Sequence, residues 1–358
     1  MADRLMLLDT PTLYFRAYFG VPESITAPDG MPINAVRGTL DFISTLVTAY
    51  RPDRLIACFD ADWRPAFRVE AIPSYKAHRV LDAGQATSKA TDAAVTSSGA
   101  AVESLDLPHV AERPVSASVE VVPDTLSPQV PVLEAVLEAF GIARGWAEQF
   151  EADDAIAAYA ALHDGPVDVV TGERETPDYQ HVRVQVVTGD RDLFQLVDDA
   201  SGVQVLNIAK GVAKLEVMDD AAIQAKYNLP GGRAYADFAV LRGDPSDGLP
   251  GVSGIGEKTA AALIYEYSSL AGLLAAVKDP ASTLKPAVRK KLDAARDYLT
   301  VAPDVVRVRA DAPVTKVDST LPTTPAHPDQ LEELAERYRL ASPIKRLTKA
   351  LAASRTPA

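Results

Sequence analysis

Val184-Gln185-Val186-Val187-Thr188-Gly189-Asp190-Arg191-Asp192 carries an apolar, strand-like run into a turn that bears two carboxylates. The same arrangement recurs at Leu5–Leu8 before Asp9 and at Leu55–Phe59 before Asp60. Two further acidic clusters, Glu151-Ala152-Asp153-Asp154 and Asp244-Pro245-Ser246-Asp247, stand at loop or helix-start positions. In an open α/β sheet, ligands bind beyond the carboxyl ends of the strands. Each acid alone reads as a helix cap or a solvated loop residue. Nine together, uncompensated, would repel one another and push their pKa values upward, so the set reads as a site for hard cations. Oxygen-only ligands point to Mg²⁺ or Mn²⁺ rather than zinc, and magnesium bound this way serves phosphoryl chemistry.

The chain of 358 residues, 47% of them hydrophobic, is long enough for one large or two modest domains with a proper core. Its single cysteine, Cys58, lies inside a strand-like run and reads as a buried thiol, and the five histidines lack zinc-ligand spacing. Met-Ala-Asp-Arg before a very short apolar run is neither a signal peptide nor a membrane span. A cytoplasmic protein with no membrane partner is therefore expected. The formal net charge of −13 runs against the basic footprint of a nucleic-acid binder. Much of that charge sits in the nine acids. Residues 80–128 add seven acids against two bases, so basic patches can survive elsewhere.

Outward from the strands, Val36, Leu40, Ile43, Leu46 and Val47 give a helical period over Ala35–Tyr50, ended by Pro52. Residues 81–125 are rich in Ala, Ser, Thr and Val without a sustained period and read as a flexible excursion. Order returns in an amphipathic helix over Pro131–Phe140 and in a second from about Ala152 to Leu162. Were Glu151 helical, it and Asp153 would point about 200° apart. Glu151 in the entering loop, with Asp153 and Asp154 in the first turn, lets the acids converge and suits the helix dipole. Residues 171–182 read as a surface insertion. From about Asp219 the chain is mostly helical, and the tail from Arg337 carries six bases and no acid. The boundaries that follow are a core over 1–218 with an insertion at 80–128, a mostly helical region over 219–320, and a C-terminal helix with basic tail over 321–358.

Gly251-Val252-Ser253-Gly254-Ile255-Gly256-Glu257-Lys258-Thr259-Ala260 is the sharpest local signal. A glycine hairpin opening a helix leaves backbone N–H groups that can hold a phosphate. Lys258 and Thr259 add charge and a hydroxyl. Such a hairpin reads duplex backbone rather than base sequence. Gly251, Gly254, Ile255, Gly256, Lys258 and Thr259 are thus the candidate DNA contacts, and an ordinary tight turn is the plain alternative.

Taken in order, these motifs resemble the 5′ nuclease family: the N-terminal domain of bacterial DNA polymerase I, phage 5′ nucleases and flap endonucleases. The resemblance covers most of residues 5–300. Besides the acidic motifs it rests on Phe67-Arg68, on Tyr75-Lys76-Ala77-His78-Arg79 and on Gly243 through Gly251. It implies an α/β, Rossmann-like (PIN-like) nuclease core with a central, mainly parallel sheet. A helical arch is implied too, with a helical C-terminal region containing a helix-three-turn-helix, or helix-hairpin-helix, element.

By the same resemblance, Asp9, Asp60, Glu151 and Asp153 hold a first metal. Asp190, Asp192 and Asp247 hold a second, with Asp154 and Asp244 in supporting places, and a potassium ion sits at the glycine hairpin. Arg68, Lys76 and Arg79 neutralise the scissile phosphate, Arg16 touches the same phosphate, and Tyr75 stacks on an unpaired base. Asp41 and Asp62 match no motif position and read as surface acids.

Two departures stand out. Gly248 occupies a place where the bacterial pattern has asparagine, which suggests a looser loop beside Asp247. The excursion at 81–125 is longer and less basic than the family's arch connection. With no polymerase domain after residue 300, the chain is expected to be a stand-alone bacterial 5′-3′ exonuclease. Its expected partners are DNA flaps, nicks or ends, with contact to a DNA polymerase in replication or repair, and the monomer is the expected state. The rival readings are a non-catalytic DNA-junction binder of the same fold and a PIN-like ribonuclease.

Overall fold

The computed structural model describes residues 3–80, 120, 122–163 and 182–354. Its centre is a six-stranded sheet of β1 (Arg4–Asp9), β2 (Arg54–Cys58), β3 (Ala143–Gly145), β4 (Arg183–Thr188), β5 (Val203–Asn207) and β6 (Glu216–Met218), in the order β3-β2-β1-β4-β5-β6. All neighbours run parallel except β5 and β6. The central strands are continuous apolar runs because both faces are covered. Leu5, Leu7, Ile56, Cys58, Val184 and Val186 face one core, while Met6, Leu8, Leu55, Ala57 and Val187 face the other. Leu7 sits level with Ile56 on one side and Val186 on the other. That register brings Asp9 and the turns after β2 and β4 to one edge of the sheet.

The helices, in chain order, begin with α1 (Thr10–Gly20), α2 (Asn34–Tyr50), α3 (Ala66–Ala71), α4 (Gln129–Phe140), α5 (Ala152–His163) and α6 (Asp220–Tyr227). They continue with α7 (Arg233–Arg242), α8 (Glu257–Tyr267), α9 (Leu270–Lys278), α10 (Pro286–Ala294), α11 (Arg296–Val306), α12 (Pro328–Arg337) and α13 (Ala341–Ser354). Asp9 caps α1 by accepting the Thr12 amide at 3.1 Å, with Pro11 in the first turn. The period expected for α2 is met, and Arg51 in the left-handed conformation ends that helix just before Pro52. Glu151 lies outside α5, whose first turn holds Asp153 and Asp154.

Helices α7 to α11 extend the core that Leu5 and Leu7 face, adding Tyr235, Phe238, Leu241, Ile264 and Leu299. The chain then returns to the core on the opposite face of the sheet. The Leu55 amide donates to the Ser319 carbonyl at 2.8 Å, and the Leu321 amide to Asp53 at 2.9 Å. Leu331, Leu334, Leu340, Ile344, Leu347 and Leu351 pack with residues of α2 and the sheet. The basic stretch from Arg337 is therefore largely an ordered amphipathic helix, and its Arg346 pairs with Asp41. Most of the 81–125 excursion, the expected arch and nearly all of the 171–182 insertion lie outside the described residues. Within the described part, α3 and a 3₁₀ turn at Ala77–Arg79 lead to a Val80–Glu120 bridge that closes the base of the excursion.

Candidate active site

A cavity of about 820 Å³ opens at the carboxyl edge of the sheet, lined by Asp9, Asp60, Glu151, Asp153 and Asp190 together with Arg16, Lys76 and Arg79. Each strand delivers its acid by the same means: a buried apolar run fixes the strand, and the first residues beyond it face the opening. Asp9 is 3% exposed, and its second carboxylate oxygen accepts the Thr188 hydroxyl at 2.6 Å. Burial, with Asp190 adding to it, pushes Asp9 up to about 6. Burial and the charge of Asp9 push Asp153 well above the usual carboxylate range, and burial with Asp190 does the same to Asp192. Asp60 accepts the Ala152 amide at 2.8 Å, tying β2 to the start of α5. Asp190 accepts the Asp192 amide at 2.8 Å, and its own amide donates to the Thr188 hydroxyl.

Glu151 and Asp154 stand differently. Arg68, 2% exposed, lies between them, donating to Glu151 at 2.5 Å and to both oxygens of Asp154 at 2.7 Å. Its Nε reaches the Val305 carbonyl at 3.0 Å, and Asp154 also accepts the Arg309 amide at 2.8 Å. Arg68 is thus a buried strut joining α3, α5 and the end of α11 rather than a side chain open to a phosphate, and Asp154 is its counter-ion. Tyr75 is likewise corrected. It is 4% exposed, its hydroxyl donates to Glu151 at 2.7 Å, and no base can stack on a ring inside the core.

Lys76 donates to the remaining Glu151 oxygen and, at 3.4 Å, to the Trp63 carbonyl. Burial would lower the Lys76 pKa, but Glu151 holds it well above the usual lysine range. Burial raises the Glu151 carboxyl, and Lys76 and Arg68 outweigh that and bring it below its ordinary value. Arg79 donates to Asp247 at 2.9 Å and to the Ser246 carbonyl. Asp244 caps its own loop through the Ser246 amide and pairs with Arg242 at 3.1 Å. Arg16 reaches the Ile208 and Ala209 carbonyls from the cavity wall.

The loop beside Asp247 is not loose. The Lys76 amide donates to the Asp247 carbonyl at 2.9 Å, and the Ser74 hydroxyl to the Gly248 carbonyl at 2.7 Å. Gly248 has φ of 72°, and a Cβ there would come within 2.0 Å of the Ser74 carbonyl oxygen. Glycine at 248 is what lets these two segments lie side by side.

The expected glycine hairpin opens α8, with Gly256 at its N-cap position. Lys258 and Thr259 are exposed there. Ile255 is not a DNA contact: its side chain is buried and its amide donates to Val252 at 2.9 Å. The potassium site does not fit as expected, because the Gly254 carbonyl accepts the Lys291 ammonium from α10 at 2.8 Å.

Several cavity residues carried no motif signal. Glu120 lines the cavity, and burial together with Asp60 pushes it up to about 7. Thr188 orients both Asp9 and Asp190. Phe15, Phe19 and Phe42 form an apolar flank, with Phe19 75% exposed. The aromatic-rich sequence of α1 was the available hint. Among the described residues, no three Asp, Glu, His or Cys side chains are drawn together closely enough to chelate an ion as they stand. Asp9, Asp153, Asp190 and Asp192 form no ion pair among those residues, and three of them are desolvated acids with raised pKa values. Such a donor set fits hard cations, which would supply the charge that the protein withholds.

Comparison with known proteins gives the family. The family model described as 5′-3′ exonuclease, N-terminal resolvase-like domain matches residues 4–228. The model described as 5′-3′ exonuclease, C-terminal SAM fold matches residues 231–329. The chain belongs to the 5′-3′ exonuclease family. A 5′-3′ exonuclease of Streptomyces coelicolor is 52% identical over 348 residues, covering 97% of this chain and 100% of that one. One of Mycobacterium tuberculosis is 45% identical, covering 98% of both. Among solved structures, the T5 D15 protein co-crystallised with metal ions has the same fold (TM-score 0.57, 17% identity, 96% of this chain and 100% of that one). So does the catalytic core of Rad2 in complex with DNA substrate (TM-score 0.50, 16% identity, 99% and 93%).

Proposed function

We propose that this protein hydrolyses DNA phosphodiesters from 5′ ends, at flaps, nicks or ends, using two or more Mg²⁺ or Mn²⁺ ions. The observation that carries this reading is the cavity where three strand ends and α5 place Asp9, Asp60, Asp153 and Asp190 opposite Lys76 and Arg79. Bound divalent ions supply the activation of water and the stabilisation of a leaving oxygen in an in-line displacement. Asp9, Asp60, Asp153 and Asp190 hold them on the cavity side, and Asp192 and Asp247 on the side of the 245–248 loop. Glu151 reaches an ion only in exchange for part of its contact with Lys76. Lys76 and Arg79, held at the rim by Glu151 and Asp247, meet the incoming phosphate. No nucleophilic side chain is required. The hairpin before α8 holds the duplex by its backbone, so DNA shape decides the substrate.

Metal ions and DNA in complexes of the same fold support this reading, as do the exonuclease names of the relatives. DNA polymerase I of Mycobacterium bovis is 34% identical over 354 residues, which are 32% of its length. That likeness to part of a polymerase supports a functional contact with a DNA polymerase in replication or repair. The protein is proposed to act in the cytoplasm as a monomer.

The test is cleavage of a 5′-labelled flap duplex with Mg²⁺, with Mn²⁺ and with chelator. Metal-dependent cutting near the junction is expected. Tight binding without cutting would establish the junction binder instead, and preferential cutting of single-stranded RNA the ribonuclease.

A further inference from the structure

We infer that Lys291 is a built-in cation for the glycine hairpin, holding it in its phosphate-binding shape without a bound monovalent ion. Lys291 belongs to α10, a different element from the hairpin and from α8 that the hairpin opens. Its ammonium donates to the Gly254 carbonyl at 2.8 Å. A Cβ on Gly254 would meet that nitrogen at 2.9 Å, and Gly254 has φ of 74°, so the bare backbone admits the contact. The hairpin's other fastenings lie on its inner side, where Val252 and Ile255 are buried and their amides donate to Leu241 and Val252. On the outer side Gly254, Gly256, Lys258 and Thr259 are exposed. Lys291 is the outer fastening. An ammonium at this distance from a carbonyl does what a coordinated alkali cation does: it neutralises the oxygen and fixes its direction. Fixing the Gly254 carbonyl also fixes the peptides that follow it, whose N–H groups lead into the start of α8.

The inference rests on the proposed grip of the hairpin on duplex DNA, and the experiment separates the two. Flap-duplex binding by the full chain carrying Asp190→Asn is measured in K⁺, Na⁺ and tetramethylammonium at equal ionic strength, alone and with Lys291→Met or Lys291→Arg added. Amide hydrogen exchange is followed in the absence of DNA, and KM and kcat are measured without the Asp190 change. Expected is equal affinity in all three salts for Lys291. Lys291→Met should lose about tenfold in affinity, recover part of it only in K⁺, and raise KM with kcat nearly unchanged. Exchange should rise locally over residues 254–258 in Lys291→Met, and Lys291→Arg should restore binding and protection. A potassium-specific gain with Lys291 present would overturn the inference. So would unchanged exchange in Lys291→Met, which would make Lys291 a simple phosphate contact. Failure of the Lys291 protein to hold the flap duplex at all would remove the proposed function and this inference with it.

Discussion

Asp153 and Asp154 are neighbours at the start of one helix, and they live in opposite electrostatic worlds. Asp154 and Glu151 are gripped by Arg68, with Lys76 and Tyr75 completing the shell around Glu151. Asp153 instead feels the like charges of Asp9 and Asp190, and among the described residues no cation comes close enough to it for an ion pair. One region neutralises its acids with the protein's own guanidinium. The other leaves them desolvated and mutually repelling, which is costly unless a cation arrives from outside. The same residue type therefore builds a rigid foundation on one side and a metal-seeking surface on the other.

The largest effect should come from the cation-seeking side. Asp190→Asn is expected to lower flap cleavage by about a thousandfold or more, since several kcal/mol of transition-state stabilisation come from the metals. Flap binding and melting temperature should stay near their original values. Substantial residual turnover in purified protein would remove Asp190 from the ligand set.

Arg68→Met tests the other half. It leaves Asp154 and part of Glu151 buried without their counter-ion, at a cost of about 3–5 kcal/mol. A melting temperature lowered by many degrees is expected, and an unchanged one would show that the strut carries no stability.

Gly248→Asn is expected to cost about 1–3 kcal/mol by overpacking against the Ser74 carbonyl, with a loss of cleavage as the Lys76 and Asp247 segments separate. Equal stability and activity would mean that the two loops part without penalty.

The smallest effect separates the halves by pH. Asp9 has its folded pKa raised from 3.8 to about 6 by burial. Its contribution to stability is therefore fully present below about 4 and is lost as pH rises through about 6. Glu151 is lowered below 4.5 despite its burial, because Lys76 and Arg68 hold it ionised. Its contribution is present above 4.5 and lost as pH falls through the folded value. The metal-free protein should thus gain a few degrees of melting temperature between pH 7 and 5, then lose stability below pH 4. Saturating Mg²⁺ should erase the first trend and spare the second. A monotonic rise of metal-free stability from pH 5 to 7 would contradict the placement of Asp9.

Much of the site was legible in the residues. The strand runs, the helix α2 and the loop position of Glu151 follow from period, proline and charge. The apolar runs end in acids because only residues past a strand's buried stretch can afford to be charged. The roles of Arg68 and Tyr75 were not legible. A basic and an aromatic residue beside acids read as ligand contacts until their burial is known, and α11, whose Val305 carbonyl accepts Arg68, is more than two hundred residues away. Gly248 misled for a related reason: its value lies in the Ser74 backbone facing it, not in its own neighbours.

Local composition and order along the chain therefore determined the sheet, the edge at which the acids gather and the expectation of a divalent metal there. Those follow from the period of apolar residues and from the chemistry of carboxylate oxygen. Only the tertiary structure decided which acids are already paired, that Gly248 fastens its loop, and that Lys291 occupies the Gly254 carbonyl. Each of these depends on a partner distant in sequence, brought within hydrogen-bond distance by packing, and no local pattern encodes that distance.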